Sequence, residues 1–189
     1  MERSSRFISL SGLSGVAAGT VALIGGIFAI TMLAKDSHNL LGALFTPFSG
    51  EIFPKIFSLA LLILFVAICV AAFFTIRKSK QNGHKIWTSA TKQLLIHLMI
   101  PLIIGGAACM ALVYHEQIQL VAPATLIFYG LALMNASKYT YNEIYYLGLI
   151  ESLLGICSCF FLKYGLLLWM LGFVLLHIAY GFFMHNKYR

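Results

Sequence analysis

Six long apolar runs dominate the chain and restrict the folds open to it. They cover approximately residues 10–33, 56–76, 94–114, 118–136, 144–162 and 165–184. About 20 residues of helix cross a hydrocarbon core of roughly 30 Å, so each run is long enough to span a membrane. None of the runs alternates polar and apolar residues as the strands of a membrane barrel do. The sequence therefore predicts an all-α, polytopic membrane protein with six transmembrane helices.

The composition agrees with this architecture and excludes a soluble globule. Of the 189 residues 60% are hydrophobic and 10% charged, and the mean hydropathy is +0.90, which leaves too little polar surface to cover a soluble protein. The first run is too long for a signal peptide and has no A-x-A cleavage site, so we expect it to persist as a helix. No loop is long enough to fold separately, which predicts one transmembrane domain over residues 1–189. An apolar patch at residues 40–45 is expected to lie in the interface or to re-enter the membrane.

The distribution of Lys and Arg predicts that both termini are cytosolic, because basic residues accumulate in cytoplasmic loops. Three basic residues fall on the outer side in this topology: Lys35, Lys55 and Lys163. Ten fall on the inner side: Arg3, Arg6, Arg77, Lys78, Lys80, Lys85, Lys92, Lys138, Lys187 and Arg189. The net charge of +7 is therefore a topology signal and not a nucleic-acid footprint. The loop with Arg77, Lys78, Lys80 and Lys85 could also bind anionic lipid heads, although retention of the loop in the cytosol explains it more simply.

Small residues form stripes on two of the predicted spans. One stripe in span one has spacings of four and three and contains Ser11, Gly15, Ala18, Ala22, Gly25 and Ala29, and a parallel row contains Gly12, Gly19 and Gly26. Span five repeats the spacing at Gly148, Ser152, Gly155 and Cys159. Such stripes allow membrane helices to approach closely. We expect spans one and five to cross along these faces, within the chain or between protomers, and we expect a homo-oligomer or a partner membrane protein.

Two ionisable residues lie deep in the last two spans. Glu151, the only acidic residue within any predicted span, lies about 12 Å into span five. His177 lies in span six, and reflection about the Lys163–Tyr164 turn places it at the height of Glu151. If the two face each other, each favours the charged form of the other; if they are separate, desolvation favours two neutral groups. The pair is interpreted either as a structural hydrogen bond or as a proton- or cation-handling site.

Further polar residues lie in the predicted cytosolic half. His97 and Asn135 lie near the inner ends of spans three and four, where they would line an approach to Glu151. This asymmetry predicts a polar vestibule open to the cytosol, although snorkelling near helix ends explains part of it. Pro101 and Pro123 predict kinks in spans three and four. The sequence contains no nucleotide loop, metal-ligand cluster or cofactor motif, so no metal or cofactor is expected.

The string Gly12-Leu13-Ser14-Gly15, together with His177 in the sixth span, resembles the rhomboid intramembrane proteases. The resemblance implies a Ser14–His177 catalytic dyad in a six-helix core. The order of elements departs from that family, whose GxSG serine begins the fourth core helix. The family's oxyanion His and Asn in the second helix also have no counterpart in residues 56–76. Ser14 is therefore interpreted as a packing residue, and no catalytic residue is assigned.

Three segments, RFISLSGLSGV, APATLIFYGLALMNASKYT and YLGLIESLLG, resemble a group of bacterial membrane proteins with no established activity. This resemblance implies a multi-pass protein of the bacterial inner membrane with six helices. The leading functional hypothesis is a small channel or transporter in which Glu151 and His177 respond to protons or cations. The alternatives are an accessory subunit that binds a partner through its small-residue faces and, more remotely, an intramembrane serine hydrolase.

Overall fold

The computed structural model describes residues 12–37, 42, 52–81, 83 and 86–188. These residues are helical or connect helices and include no β-strand, and six of the helices are long and apolar enough to cross a membrane. The predicted all-α architecture is confirmed over this part of the chain. Ser11, Lys85 and, except for Gly42, the apolar patch at residues 40–45 lie outside it.

The first five helices are α1 (Gly12–Ser37), α2 (Phe53–Gln81), α3 (Ser89–Tyr114), α4 (Val121–Ala136) and α5 (Glu143–Phe160). The sixth, α6, has three consecutive segments: α-helical Gly165–Met170, a π-helical turn at Leu171–Leu176, and α-helical His177–Lys187. Short 3₁₀ turns at Ile118–Leu120, Ser137–Tyr139 and Leu162–Tyr164 flank α4 and precede α6. Helix α2 extends past its predicted span at both ends. At the C-terminal end the extension is a polar last turn with Lys78 and Lys80, which continues the helix beyond the apolar segment.

The ends of α3 and α4 follow local sequence signals. Thr88 caps α3, since its hydroxyl oxygen accepts from the backbone N–H of Thr91 at 3.2 Å. Pro101 lies inside α3, where it removes one helical hydrogen bond. Pro123 is the third residue of α4, and a backbone N–H in the first turn has no intrahelical partner to lose. Pro123 therefore removes no hydrogen bond within α4, and the reason for predicting a kink there does not apply.

The helices pack as two groups of three. In the first group, α1 lies between α2 and α6, and in the second group α4 lies between α3 and α5. The groups meet where α6 lies against α4 and α5. Sites built from separate bundles in membrane proteins often lie at such a boundary.

Each small-residue stripe packs against a helix other than the one expected. Gly12, Gly15 and Gly19 of α1 lie against the α6 backbone. Gly148 and Gly155 of α5 lie against α4. The predicted crossing of spans one and five within the chain is therefore wrong, and both faces are already covered within the chain. A stripe indicates that a helix is approached closely, but neighbouring helices offer equivalent surfaces, so it does not identify the partner.

The two serines of these stripes are also buried within the chain. Ser14 is 6% exposed and Ser152 7%. The Ser152 hydroxyl points at the carbonyl oxygen of Ile127 on α4, at 3.4 Å. Small side chains at these two positions thus contribute to close contacts between helices.

Polar contacts join the ends of α2, α5 and α6 at what we call the basic end, the end of the bundle with Lys78, Lys138 and Lys187. The Lys187 ammonium and the Tyr188 hydroxyl both donate to Glu143 Oε1. Lys78 Nζ donates to the carbonyl oxygen of Tyr188 at 3.4 Å. The other end, with Lys35, Lys55 and Lys163, is called the opposite end.

Of the basic residues considered for lipid binding, Arg77 and Lys80 are exposed and Lys78 is half-buried. Lys78 also has a protein partner, the Tyr188 carbonyl. Lipid binding by this loop stays a prediction.

Candidate functional site

Glu151 and His177 meet in the core, where α5 and α6 lie together. His177 Nδ1 is 3.3 Å from Glu151 Oε1. Glu151 is 0% exposed and His177 5%. The hairpin reflection therefore predicted the height of the two residues correctly, and of the two arrangements left open the structure has the one in which they face each other.

Two further contacts fix the imidazole of His177. Its Nδ1 lies 3.2 Å from the carbonyl oxygen of Gly172, and its Nε2 lies 2.8 Å from the hydroxyl oxygen of Tyr129. A carbonyl oxygen can only accept, so Nδ1 carries a hydrogen. The Tyr129 hydroxyl can either donate to Nε2 or accept from it, and Tyr129 thus accommodates both the neutral and the protonated ring.

The Glu151 carboxyl is buried without a full set of partners. Neither oxygen makes a hydrogen bond to any of the described residues, although Oε1 lies near His177. A buried, unpaired negative charge is costly in a low-dielectric interior. An electrically neutral arrangement of the pair, with one labile proton on either Glu151 or His177, avoids this cost. Removing that proton leaves a net negative charge that another cation could compensate.

The π-helical turn shapes the pocket around this carboxyl. It spans Leu171–Leu176 and places the Gly172 carbonyl five residues before His177. Gly172 has no side chain, and a Cβ at this position would lie 2.5 Å from Glu151 Oε2. The wide turn and the glycine together provide the space that the carboxyl occupies. π turns inside α-helices occur frequently at functional sites.

Gly172→Ala should displace the Glu151 carboxyl and destabilise the protein by about 1–3 kcal/mol, the usual cost of overpacking a well-packed core. The unfolding equilibrium in detergent, titrated with SDS, measures this change. Gly106→Ala is the matched control, because Gly106 is also helical and a Cβ there meets nothing within 4 Å. Equal stability of the two variants would mean that Gly172 does not constrain the carboxyl.

His97 and Asn135 form a second polar cluster. Asn135 Nδ2 donates to the carbonyl oxygen of His97 at 3.0 Å, and His97 Nε2 lies 2.9 Å from the hydroxyl oxygen of Tyr139. These contacts join α3 to α4 and share no residue with the Glu151 cluster. Asn135 and Tyr129 are six residues apart on α4, which places them on different sides of the helix. The role of His97 and Asn135 in lining an approach to Glu151 stays a prediction.

Two tyrosines at this site were not predicted from the sequence. Tyr129 lies in the middle of α4 and touches His177. Tyr180 lies one turn after His177, and its hydroxyl is buried without a hydrogen-bond partner among the described residues. Tyrosines are typical of membrane interfaces, so a tyrosine that contacts a buried site is not distinguished by its residue type. The available signal was the depth of Tyr129, which lies in the middle of its apolar run, whereas Tyr180 lies four residues before the end of its own run.

Ser14 is not bonded to His177. Both ring nitrogens of His177 have other partners, Tyr129 on one side and Gly172 with Glu151 on the other. The contact between the two regions runs through the backbone, since Gly15 lies against the carbonyl oxygen of His177. A nucleophilic serine requires a base in hydrogen-bond reach, and among the described residues His177, the base that the resemblance implies, directs both ring nitrogens at other groups.

Comparisons of this chain with protein-family models, with curated proteins and with solved structures give no match.

Proposed function

We propose that the protein is a small membrane channel or transporter in which the Glu151–His177 pair binds and releases a proton or another small cation. One observation carries the proposal: a fully buried carboxyl faces a buried histidine where the two helix groups meet, and its oxygens lack hydrogen-bond partners among the described residues. Ionisable groups at this depth are expensive and mark ion or proton pathways by default. The proposal places the protein in the bacterial inner membrane with both termini in the cytosol.

The chemistry of the pair supports a cation as the species handled. Its neutral state holds one labile proton, which can reside on the carboxyl or on the imidazole. The Tyr129 hydroxyl can donate to Nε2 in one state and accept from it in the other. Exchange of the proton for another cation would preserve the neutrality that the apolar surroundings favour.

Flux through proteoliposomes under imposed proton, sodium and potassium gradients tests the proposal. Glu151→Gln keeps the shape of the side chain and removes its charge, so we expect the wild-type flux to fall at least about tenfold, which corresponds to one order of magnitude in rate. Glu116→Gln is the control, since it makes the same change at an exposed glutamate outside the Glu151 cluster. Flux by the folded Glu151→Gln variant equal to that of the wild type would contradict the proposal, as would absence of wild-type flux under every gradient.

An accessory subunit without transport activity is the second candidate. The small-residue faces expected to bind a partner are packed within the chain. Helix α2 offers another surface, because it packs mainly on α1 and its side chains Leu62, Phe65 and Phe73 are more than half exposed. Lipid covers such a face equally well. Copurification of a membrane protein that is lost when Phe65 is replaced by Ala would favour this candidate.

A further inference from the structure

Leu126 occupies a socket formed by two glycines. The side chain is fully buried on α4. A Cβ on Gly155 of α5 would lie 2.9 Å from Leu126 Cβ, and one on Gly172 of α6 would lie 2.6 Å from Leu126 Cδ2. The absence of side chains at these two positions allows the leucine to fill the space where α4, α5 and α6 meet.

This leucine lies on the opposite-end side of the Glu151–His177 pair. Gly172 borders both the Leu126 side chain and Glu151 Oε2. Gly155 is one turn after Glu151, in the direction of the opposite end. The apolar side chain therefore closes the interior directly beyond the carboxyl.

A buried polar group, the Ser158 hydroxyl, lies on the far side of Leu126 from the pair. Ser158 is fully buried, and its hydroxyl has no hydrogen-bond partner among the described residues. It lies seven residues after Glu151 on α5, about 10 Å further toward the opposite end and on the same side of the helix. Buried hydroxyls are almost always bonded to protein or to water. A buried hydroxyl thus lies beyond Leu126 as well as before it.

A buried polar group also lies on the basic-end side of the pair. Tyr180 lies one turn after His177, and its buried hydroxyl also lacks a partner among the described residues. The rise of about 1.5 Å per helical residue places it roughly 4.5 Å beyond His177 on α6, in the direction of Lys187. Tyr180 therefore lies between the buried pair and the polar contacts of the basic end.

We propose that the species bound by the pair is a proton, that it enters from the basic end through Tyr180, and that Leu126 is the gate toward Ser158 and the opposite end. This inference rests on the proposed function of the Glu151–His177 pair. A hydronium ion at the basic end gives up its proton along water bonded to the Tyr180 hydroxyl. The proton forms a new O–H bond on the Glu151 carboxylate and leaves a water molecule behind, so the pair becomes neutral. Release toward the opposite end requires Leu126 to move, since an apolar constriction blocks the passage of ions and water.

Hydrogen–deuterium exchange of the Glu151 carboxyl tests the route without requiring transport. The infrared carboxyl band that disappears in Glu151→Gln identifies the group, and its shift after transfer to D₂O gives the exchange rate in reconstituted membranes. We expect Tyr180→Phe to slow the exchange at least about tenfold, one order of magnitude in rate. Tyr146→Phe is the control, because Tyr146 is 64% exposed. Exchange in Tyr180→Phe as fast as in the control would overturn the entry route.

Passive proton leak through proteoliposomes tests the gate. We expect Leu126→Ala to raise the leak at least about tenfold, and Glu151→Gln in the same chain to abolish the increase. Leu131→Ala is the control, since Leu131 is on the same helix and 43% exposed. If Leu126→Ala does not fold, Leu126→Thr keeps a branched side chain and adds a hydroxyl. A leak no larger than that of the control, or one that survives Glu151→Gln, would overturn the gate. Neither result would affect the proposed function, which depends on the loss of flux in Glu151→Gln alone.

Discussion

Gly181→Leu is expected to separate α1 from α6 and to destabilise the fold by about 3 kcal/mol or more, at the upper end of overpacking effects. A Cβ at this position would lie 2.5 Å from the backbone nitrogen of Val16 and 2.7 Å from the carbonyl oxygen of Gly12. Backbone atoms cannot move aside as a side chain can, so the whole of α1 would have to shift. SDS titration of the unfolding equilibrium and size-exclusion chromatography in detergent measure the effect.

Gly106→Leu is the matched control for Gly181→Leu. Gly106 is exposed in α3, and a Cβ there meets nothing within 4 Å. Both variants add the same apolar side chain to a helical glycine, and they differ in the approach of a second helix. Equal midpoints for the two variants would refute the close packing of α1 on α6.

His177→Leu should be the second large effect, with a loss of about 3–5 kcal/mol, because removing one member of a buried pair leaves the other charge uncompensated. Glu151 would then be a fully buried carboxyl without its only charged neighbour among the described residues. Glu151→Met in the same chain should restore most of the stability, since an apolar pair of similar volume is often as stable as the ion pair.

A double-mutant cycle with the two single variants and the combined variant measures the coupling. The expected coupling energy is well above the average of about 0.6 kcal/mol for interhelical hydrogen bonds in a membrane protein. Additive single effects would mean that Glu151 and His177 do not interact, whatever their distance. The unfolding equilibrium in SDS is again the measurement, and repetition at pH 6 and pH 8 tests whether a labile proton contributes.

Heights along the helix bundle were predictable from the sequence, whereas rotations about the helix axes were not. The short Lys163–Tyr164 turn fixes the levels of Glu151 and His177, because each residue of helix advances the chain by about 1.5 Å. The orientation of these two side chains toward each other depends on packing against α4 and on the π turn. Neither Leu171 nor Leu176 at the ends of that turn carries a signal for it, since a π turn differs from an α-helix by one residue in an otherwise regular apolar sequence.

The packing partner of each glycine-bearing helix could also not be predicted from the sequence. Gly15 and Gly155 predict close approach correctly, and the structure assigns α6 to the first and α4 to the second. In lipid, the contacts between helices come from shape and from a few polar groups, and several pairings satisfy the same stripe. Tyr129 was missed for a related reason, since a tyrosine in a span gains its role from the side chain it faces.

The contact of α1 with α6 has a consequence for biosynthesis. Gly12 packs against residues near His185, so the first and last helices of the described chain are neighbours. At usual rates of synthesis, roughly ten to thirty seconds separate the emergence of the two segments from the ribosome. During that interval α1 is without the helix against which Gly12, Gly15 and Gly19 pack. Its small residues then leave a surface open for α6, and this group of helices can assemble only after α6 has been synthesised.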